Sequence, residues 1–220
     1  MTVSTEPRVV QVCGKYPLAL QPFKGSTNHS YFKYLQHADK NSRCTEYLIK
    51  DLPKGLSVIE HFGGVGMTGV MIQTLLEPSS HKIFDIDPDC VSQLQSVFGD
   101  KAAYGDAKEL MGTMYADLIT LDFPNMTANH HHEWPLDRVF AIGPKYIVMC
   151  DIAKQRIGLH RDLWSRIFGK PIFDNEDYMN ALSERWSKQY GYAIRKVAAH
   201  AYSFLLLTPG EITPIDFWKL

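Results

Sequence analysis

From about residue 55 onward, short apolar runs alternate with segments of helical period. Leu56 to Phe62 is a compact run interrupted by Ser57, Glu60 and His61, and it predicts a strand. Met67 to Leu76 has helical character and stops at Glu77-Pro78, because the residue before a proline is pushed out of the helical region. Lys82 to Phe84 reads as a strand running into Asp85. Asp87 followed by Pro88 is a helix start, an acceptor side chain at the cap and a pre-set φ at the first helical position. That helix is expected to run to Phe98 and to end at Gly99. Ala102 to Tyr104, Ala116 to Leu121 and Tyr146 to Cys150 are further strands. Strands separated by helices need crossover connections, which gives a parallel sheet with helices on both faces.

The two ends of the chain break the alternation. Before Asp51, Tyr16-Pro17 and Pro22-Phe23-Lys24-Gly25 read as irregular, followed by a helix over Asn28 to Asp39 and a second short one over Cys44 to Leu52. Pro53-Lys54-Gly55 then turns the chain into the first strong strand. After the alternating part, Leu163 to Phe168 and Tyr178 to Gln189 are helical, and Ile194 to Ala201 and Tyr202 to Leu207 are late strands, one of them a candidate for antiparallel pairing. Pro209 to Leu220 reads as an ordered tail. The expectation is one structural domain, with residues 1–54 as a lead-in packing on a core of 55–220.

Composition narrows the class. In 220 residues, 45% are hydrophobic and 21% charged, which suits a globular chain able to bury a full core. No apolar run reaches the length of about 18 residues that a spanning helix needs, and residues 1–12 carry no apolar signal core. A soluble, cytoplasmic protein without membrane attachment is expected. A formal net charge of −1 excludes a strongly basic footprint over the whole surface but leaves room for a local basic face. The four cysteines, Cys13, Cys44, Cys90 and Cys150, form no C-x-x-C pair and read as free thiols, with Cys90 and Cys150 in apolar surroundings.

The most informative segment is Glu60-His61-Phe62-Gly63-Gly64-Val65-Gly66-Met67-Thr68-Gly69, between a strand and a helix. Glycines let the backbone turn sharply and let a ligand come close, and the helix beyond them presents free N–H groups and the positive end of its dipole. Gly64-x-Gly66-x-x-Gly69 with Asp85 further on matches the dinucleotide pattern literally. An acid at Glu60 followed by Phe62, Gly64 and Gly66 at two, four and six residues is the alternative pattern.

In that second pattern the sequence resembles the class I S-adenosylmethionine (SAM)-dependent methyltransferases. It is closest to the F-x-G-x-G form, here Phe62-Gly63-Gly64-Val65-Gly66, found among nucleic-acid methyltransferases that modify amino groups. The resemblance implies an α/β, Rossmann-like fold: a seven-stranded, mostly parallel sheet with helices on both faces and an N-terminal helical lead-in. It implies SAM as cofactor, with Glu60 at the methionine end, Phe62, Gly63, Gly64 and Gly66 beside the amino-acid and ribose parts, and Asp85 with Ile86 on the ribose diol. Asp106 and Ala107 fall near the adenine. Four acids at four successive strand ends, the fourth being Asp122, are far more specific than one glycine loop. NAD is the distant alternative, since Glu60 would crowd a pyrophosphate with like charge.

Asp122-Phe123-Pro124-Asn125 lies where amino-methyltransferases carry Asp/Asn-Pro-Pro-aromatic. An acceptor there takes a hydrogen bond from the target N–H and aims the nitrogen lone pair at the methyl group, and positioning is much of the catalysis. The resemblance therefore assigns the reaction centre to Asp122, Phe123 and Pro124, with Asp122 also against the cofactor. Phe123 stands in place of the first proline and Asn125 in place of the aromatic, which leaves open a strand cap at Asp122 with Phe123 as packing. No cysteine nucleophile accompanies the motif. His130-His131-His132-Glu133-Trp134 reads as a polar loop over the site; adjacent histidines cannot converge on one ion, so no metal site is expected.

Basic residues collect later in the chain, Lys154, Arg156, His160, Arg161, Arg166 and Lys170, then Lys188, Arg195, Lys196 and His200, with Trp164, Trp186 and Tyr190 between them. They form either a nucleic-acid face or a solvated face over core aromatics. The acceptor implied is an amino nitrogen of a DNA or RNA base, with a protein or small molecule as the alternative. A partner subunit that supplies specificity is compatible with the sequence. A non-catalytic SAM-fold assembly subunit is the rival of another class, supported by the altered Asp122-Phe123-Pro124-Asn125.

Overall fold

The computed structural model describes residues 8–21, 28–122, 135–200 and 202–220, of which 28–38, 151–160 and 202 are described by their backbone alone. The elements in chain order are β1 (Arg8–Val12), β2 (Tyr16–Leu20), α1 (Asn28–Ile49), β3 (Ser57–His61), α2 (Met67–Leu76), β4 (Ser80–Asp85) and α3 (Pro88–Phe98). There follow β5 (Ala102–Tyr104), α4 (Ala107–Leu110), β6 (Leu118–Leu121), α5 (Leu136–Ala141), β7 (Tyr146–Ala153), α6 (Lys154–Phe168), α7 (Asn175–Tyr190), β8 (Tyr192–Ala199), β9 (Tyr202–Pro209) and β10 (Asp216–Lys219).

The main sheet has the order β10-β8-β9-β7-β6-β3-β4-β5. β9 runs against both its neighbours, β7 and β8, and the other pairs are parallel. Successive strands step outward from β3 through β4 to β5, then return to the other side of β3 as β6 and β7. The reversal lies between β3 and β6, and it opens a crevice beyond their carboxyl ends.

The central strands are buried on both faces, which is why β6 and the first part of β7 read as near-continuous apolar runs rather than alternating ones. The period of two still divides their side chains between two cores. Leu118, Val148 and Cys150 pack on one face with Cys44, Leu48, Met71, Ile72 and Leu76, while Ile119, Leu121, Ile147 and Met149 pack on the other with Val139, Phe140, Tyr178, Leu182 and Trp186. At the amino edge, Asp117 accepts the Ser57 N–H at 2.9 Å and the Ser57 hydroxyl at 2.7 Å and pairs with Lys145 at 2.9 Å, tying β3 to β6 before the strands begin.

The sheet has eight strands, not the seven expected. The extra strand, β10, comes from the segment read as a tail. Arg195 holds the preceding loop, donating to Thr208 Oγ1 at 2.7 Å, the Glu211 carbonyl at 2.7 Å and Thr213 Oγ1 at 2.6 Å. Four residues with two aromatics carry too little periodicity to announce a strand; pairing with β8 makes it one. The lead-in is not wholly helical. It opens with an antiparallel hairpin, β1 on β2. The two short helices expected before Pro53 are one helix, α1, since no Gly or Pro interrupts residues 28–49. Residues 22–25 of the lead-in lie outside the described residues.

Among the described residues no helix is long and apolar enough to cross a membrane. No disulfide joins the four cysteines; Cys13, Cys44 and Cys150 are buried, while Cys90 is half-exposed in the first turn of α3. The acids Asp85, Asp87 and Asp89 act on Cys90 along with its burial, so its surroundings are not the apolar ones expected.

Candidate active site at the carboxyl edge

After β3 the chain turns at Phe62, whose φ of 64° puts a non-glycine residue in the left-handed region. That conformation costs about 1 kcal/mol or more and persists only where its surroundings impose it. The Gly63 N–H donates to the Phe84 carbonyl at 3.0 Å, and a Cβ on Gly63 would stand 2.5 Å from Ile83 Cγ2, so the loop lies directly on β4. Gly64 N–H donates to Asp85 Oδ2 at 2.8 Å, and Asp85 Oδ1 takes the Asp87 N–H at 2.9 Å. Gly66, at φ 94°, leads into α2 without a side-chain cap. The first turn of α2 thus offers N–H groups that its own residues do not satisfy.

The strand ends bring most of the expected residues to one edge. Phe62, Gly63, Gly64 and Gly66 form the loop after β3. Asp85 ends β4, and Ile86 beside it is 52% exposed, a large apolar side chain facing solvent at the rim. Asp106 follows β5 and caps the short α4, accepting the Lys108 N–H at 2.8 Å; Ala107 behind it is buried. Asp122 follows β6 across the crevice, half-buried. Phe123, Pro124, Asn125 and His130 to Trp134 lie outside the described residues.

Glu60 differs from its neighbours. Its carboxyl has no surface open to solvent, and neither oxygen finds a hydrogen-bond partner among the described residues. A Cβ on Gly69 would be 3.2 Å from Glu60 Oε1, so the carboxyl packs beneath α2. His81 Nε2 is 3.8 Å from the same oxygen. Burial pushes Glu60 well above the usual carboxylate range, and the charge of Asp122 adds to this. Burial also holds His61 and His81 down to about 4, with Lys101 acting in the same direction on His81. Both histidines are therefore neutral at pH 7, so the contact between Glu60 and His81 lacks a cationic imidazole.

Asp122 is pushed up to about 6 by burial, against a weak opposing contact from the Thr68 hydroxyl at 3.4 Å. It borders a small recess between α1, α2 and the sheet, lined by Thr45, Thr68, Thr120, Leu121, Val148, Met149, Cys150 and Phe204. The Thr120 hydroxyl is buried with no partner among the described residues. Thr68, Thr120 and Thr45 carried no signal in the sequence, because a threonine on a strand or helix reads as ordinary surface until tertiary packing encloses it.

The late basic and aromatic residues are arranged differently. Trp164 and Trp186 are 2% exposed and belong to the core, and Tyr190 stacks on Phe140 at 4.3 Å. Lys170 pairs with Glu184 at 2.6 Å and Lys196 with Asp51 at 2.6 Å, while Arg195 is engaged with the loop before β10. The interleaved aromatics are thus core, not an exposed stacking surface.

Solved structures share this fold. A ribosomal protein L11 methylase from Lactobacillus delbrueckii subsp. bulgaricus superposes with a TM-score of 0.55 at 13% identity, over 87% of this chain and 84% of that one. TYW2 from M. jannaschii, in complex with AdoMet, gives 0.52 at 11% identity over 95% and 87%. The chain has the SAM-dependent methyltransferase fold. Trm1 from Pyrococcus horikoshii, with S-adenosyl-L-methionine, gives 0.55 at 15% identity; this methyltransferase-fold chain is covered over 88% and spans 60% of that larger protein. No protein-family model matches the sequence, and no curated protein is similar to it by sequence.

Proposed function

We propose that this chain is a SAM-dependent methyltransferase that methylates an amino nitrogen of a DNA or RNA base. One arrangement supports the reading above all: the glycine loop clamped to Asp85 on one side of the β3–β6 crevice, with the carboxyl of Asp122 on the other. The groups present fit SAM. Asp85 keeps oxygen lone pairs for the ribose diol, Ile86 is an exposed apolar contact for the adenine, and the loop and first turn of α2 offer N–H groups to a carboxylate. Asp106 and Ala107 close the adenine side. Glu60 acts from beneath the loop, since its carboxyl is sealed. Bound there, SAM supplies an electrophilic methyl group on a sulfonium.

Asp122 accepts one N–H of the target amine and so directs the nitrogen lone pair. With SAM bound, transfer would break the S–CH3 bond, leaving a neutral thioether, and Asp122 would take the proton that the methylated nitrogen sheds; a carboxyl near 6 both accepts it and releases it to water at neutral pH. Phe123 and Pro124 complete the reaction centre. The reading carries with it a nucleic-acid substrate, a cytoplasmic location and a partner subunit that supplies recognition. Residues 55–220 are the catalytic unit and 1–54 its lead-in.

The test is calorimetric titration of the purified chain with SAM and, separately, with NAD, followed by labelled methyl donor with DNA, RNA, protein and small-molecule pools. Binding of SAM that is lost in Asp85→Ala, with transfer to nucleic acid lost in Asp122→Asn, supports the reading. Binding without transfer to any pool favours the assembly-subunit alternative suggested by the altered Asp122-Phe123-Pro124-Asn125. Binding of NAD alone overturns it.

A further inference from the structure

Three successive residues of the glycine loop are held by three different groups. Gly63 is bonded to the Phe84 carbonyl and Gly64 to the Asp85 carboxylate, both from β4. Val65 is held from elsewhere. Its carbonyl lies 3.4 Å from Nε2 of Gln93, a side chain on α3 that is 1% exposed. The same Nε2 donates to the Ala19 carbonyl at 2.8 Å, and Gln93 Oε1 accepts the Gln21 N–H at 2.7 Å. A primary amide has one carbonyl acceptor and two N–H donors. Here it pairs with residues two apart at the end of β2, as the peptide group of a neighbouring strand would, and its remaining donor reaches the loop.

Apolar packing follows the same route. Leu18 and Leu20 of β2 are buried in one cluster with Val65 and Met67. The far end of the hairpin is anchored separately, through the Tyr16 hydroxyl on Glu46 Oε1 at 2.7 Å and the Cys13 N–H on Asp39 Oδ1 at 2.7 Å, both on α1. Among the described residues, Gln93 is therefore the polar bridge between the N-terminal hairpin and the loop that starts α2.

We propose that Gln93 is a positioning residue that couples docking of the N-terminal hairpin to the geometry of the glycine loop, so that cofactor affinity depends on a hairpin that does not itself touch the cofactor. This rests on the reading of the loop as a SAM site. The coupling runs through three hydrogen bonds on one rigid amide, two to the hairpin side and one to the loop, so loosening the hairpin is felt at Val65 as long as Gln93 is present. Substitution by Met keeps the shape and removes all three hydrogen bonds.

The test is a double-mutant cycle on the full chain, read as SAM affinity by calorimetry. Gln93→Met is expected to weaken binding about tenfold, the equivalent of roughly one hydrogen bond. Tyr16→Phe, far from the loop, is expected to weaken it about threefold in the native background and not at all in the Gln93→Met background, since residues in one network are not additive. A purely structural role for Gln93 would lower stability while leaving the two affinity effects independent, and additive effects overturn the proposal, as does unchanged affinity in Gln93→Met. Amide hydrogen exchange of the free protein separates this from the cofactor reading. Were the native chain not to bind SAM, the proposed function would fall, and the coupling would be judged by exchange alone: Gln93→Met should accelerate Ala19–Gln21 and Gly64–Gly66 together, and acceleration of one segment without the other overturns it. If Gln93→Met does not fold, Tyr16→Phe gives the same readout, with exchange at Gly64–Gly66 rising alongside the hairpin as the expected result and unchanged exchange there as the overturning one.

Discussion

The two ends of β6 carry an aspartate each, and they behave in opposite ways. Asp117, at the amino edge, accepts two bonds from Ser57 and pairs with Lys145, which together hold its carboxyl far below the usual carboxylate range. Asp122, five residues on at the carboxyl edge, has one long contact with Thr68 and is pushed up to about 6 by burial. The strand is the same and the residue type is the same. What differs is the company. The amino edge of the sheet satisfies the charge of Asp117, and among the described residues the carboxyl edge leaves Glu60 and the Thr120 hydroxyl without partners and Asp122 with one long contact. Unsatisfied polar groups lower stability, and they collect where a ligand completes them. The contrast separates an edge whose carboxylate is satisfied from one whose polar groups are not.

The largest test of this contrast is catalytic. Asp122→Asn is expected to lower methyl transfer by roughly 10²-fold or more while leaving SAM binding intact, measured as single-turnover transfer of labelled methyl. Equal loss in Asp117→Asn would erase the distinction between the edges. Next, Asp85→Ala removes the acceptor for Gly64 and for a ribose diol together, and SAM affinity should fall by about 10²-fold in calorimetry. In stability the order reverses. Asp117→Ala should lower the free energy of unfolding by about 2 kcal/mol in urea titrations at pH 7, since it strands Ser57 and Lys145. Asp122→Asn should raise it.

The pH dependence sharpens the same comparison. Asp122 has a folded value near 6, above its unfolded value, so its ionisation destabilises the fold at neutral pH and that cost disappears as pH falls from 6 towards 4. Asp117 is depressed, so its contribution is present above pH 4 and is lost as pH falls below that towards its folded value. The stabilising effect of Asp122→Asn should therefore shrink between pH 6 and 4 while the deficit of Asp117→Ala persists there. The smallest effect belongs to Ile86→Ala, about a threefold loss of SAM affinity with no change in unfolding midpoint, because an exposed side chain contributes little to the core.

Much of the fold was legible in the residues. The glycine loop, the Asp87-Pro88 cap and the apolar runs of β3, β6 and β7 are local signals whose meaning needs no distant partner. Asp87 caps α3 as expected, accepting from the Asp89 and Cys90 N–H groups. The lead-in was less legible. A polar stretch around Asp39 to Arg43 reads as a break between helices, yet it lies within a single helix whose polar residues anchor the hairpin and salt-bridge its surface. β10 depends on Arg195 and on the free edge of β8.

For this protein, the sequence by itself determined the order of the strands from β3 to β9, the sharp turn after β3 and the acids at the strand ends, because these follow from periodicity, capping and glycine conformation within a few residues. The tertiary structure alone decided which acids are satisfied and which are not. Asp117, Asp122 and Glu60 are alike as carboxylic acids, and burial and partners brought from tens of residues away push them in opposite directions. Gln93 is the plainest case: a glutamine on an amphipathic helix, given its role only by a hairpin more than seventy residues earlier in the chain.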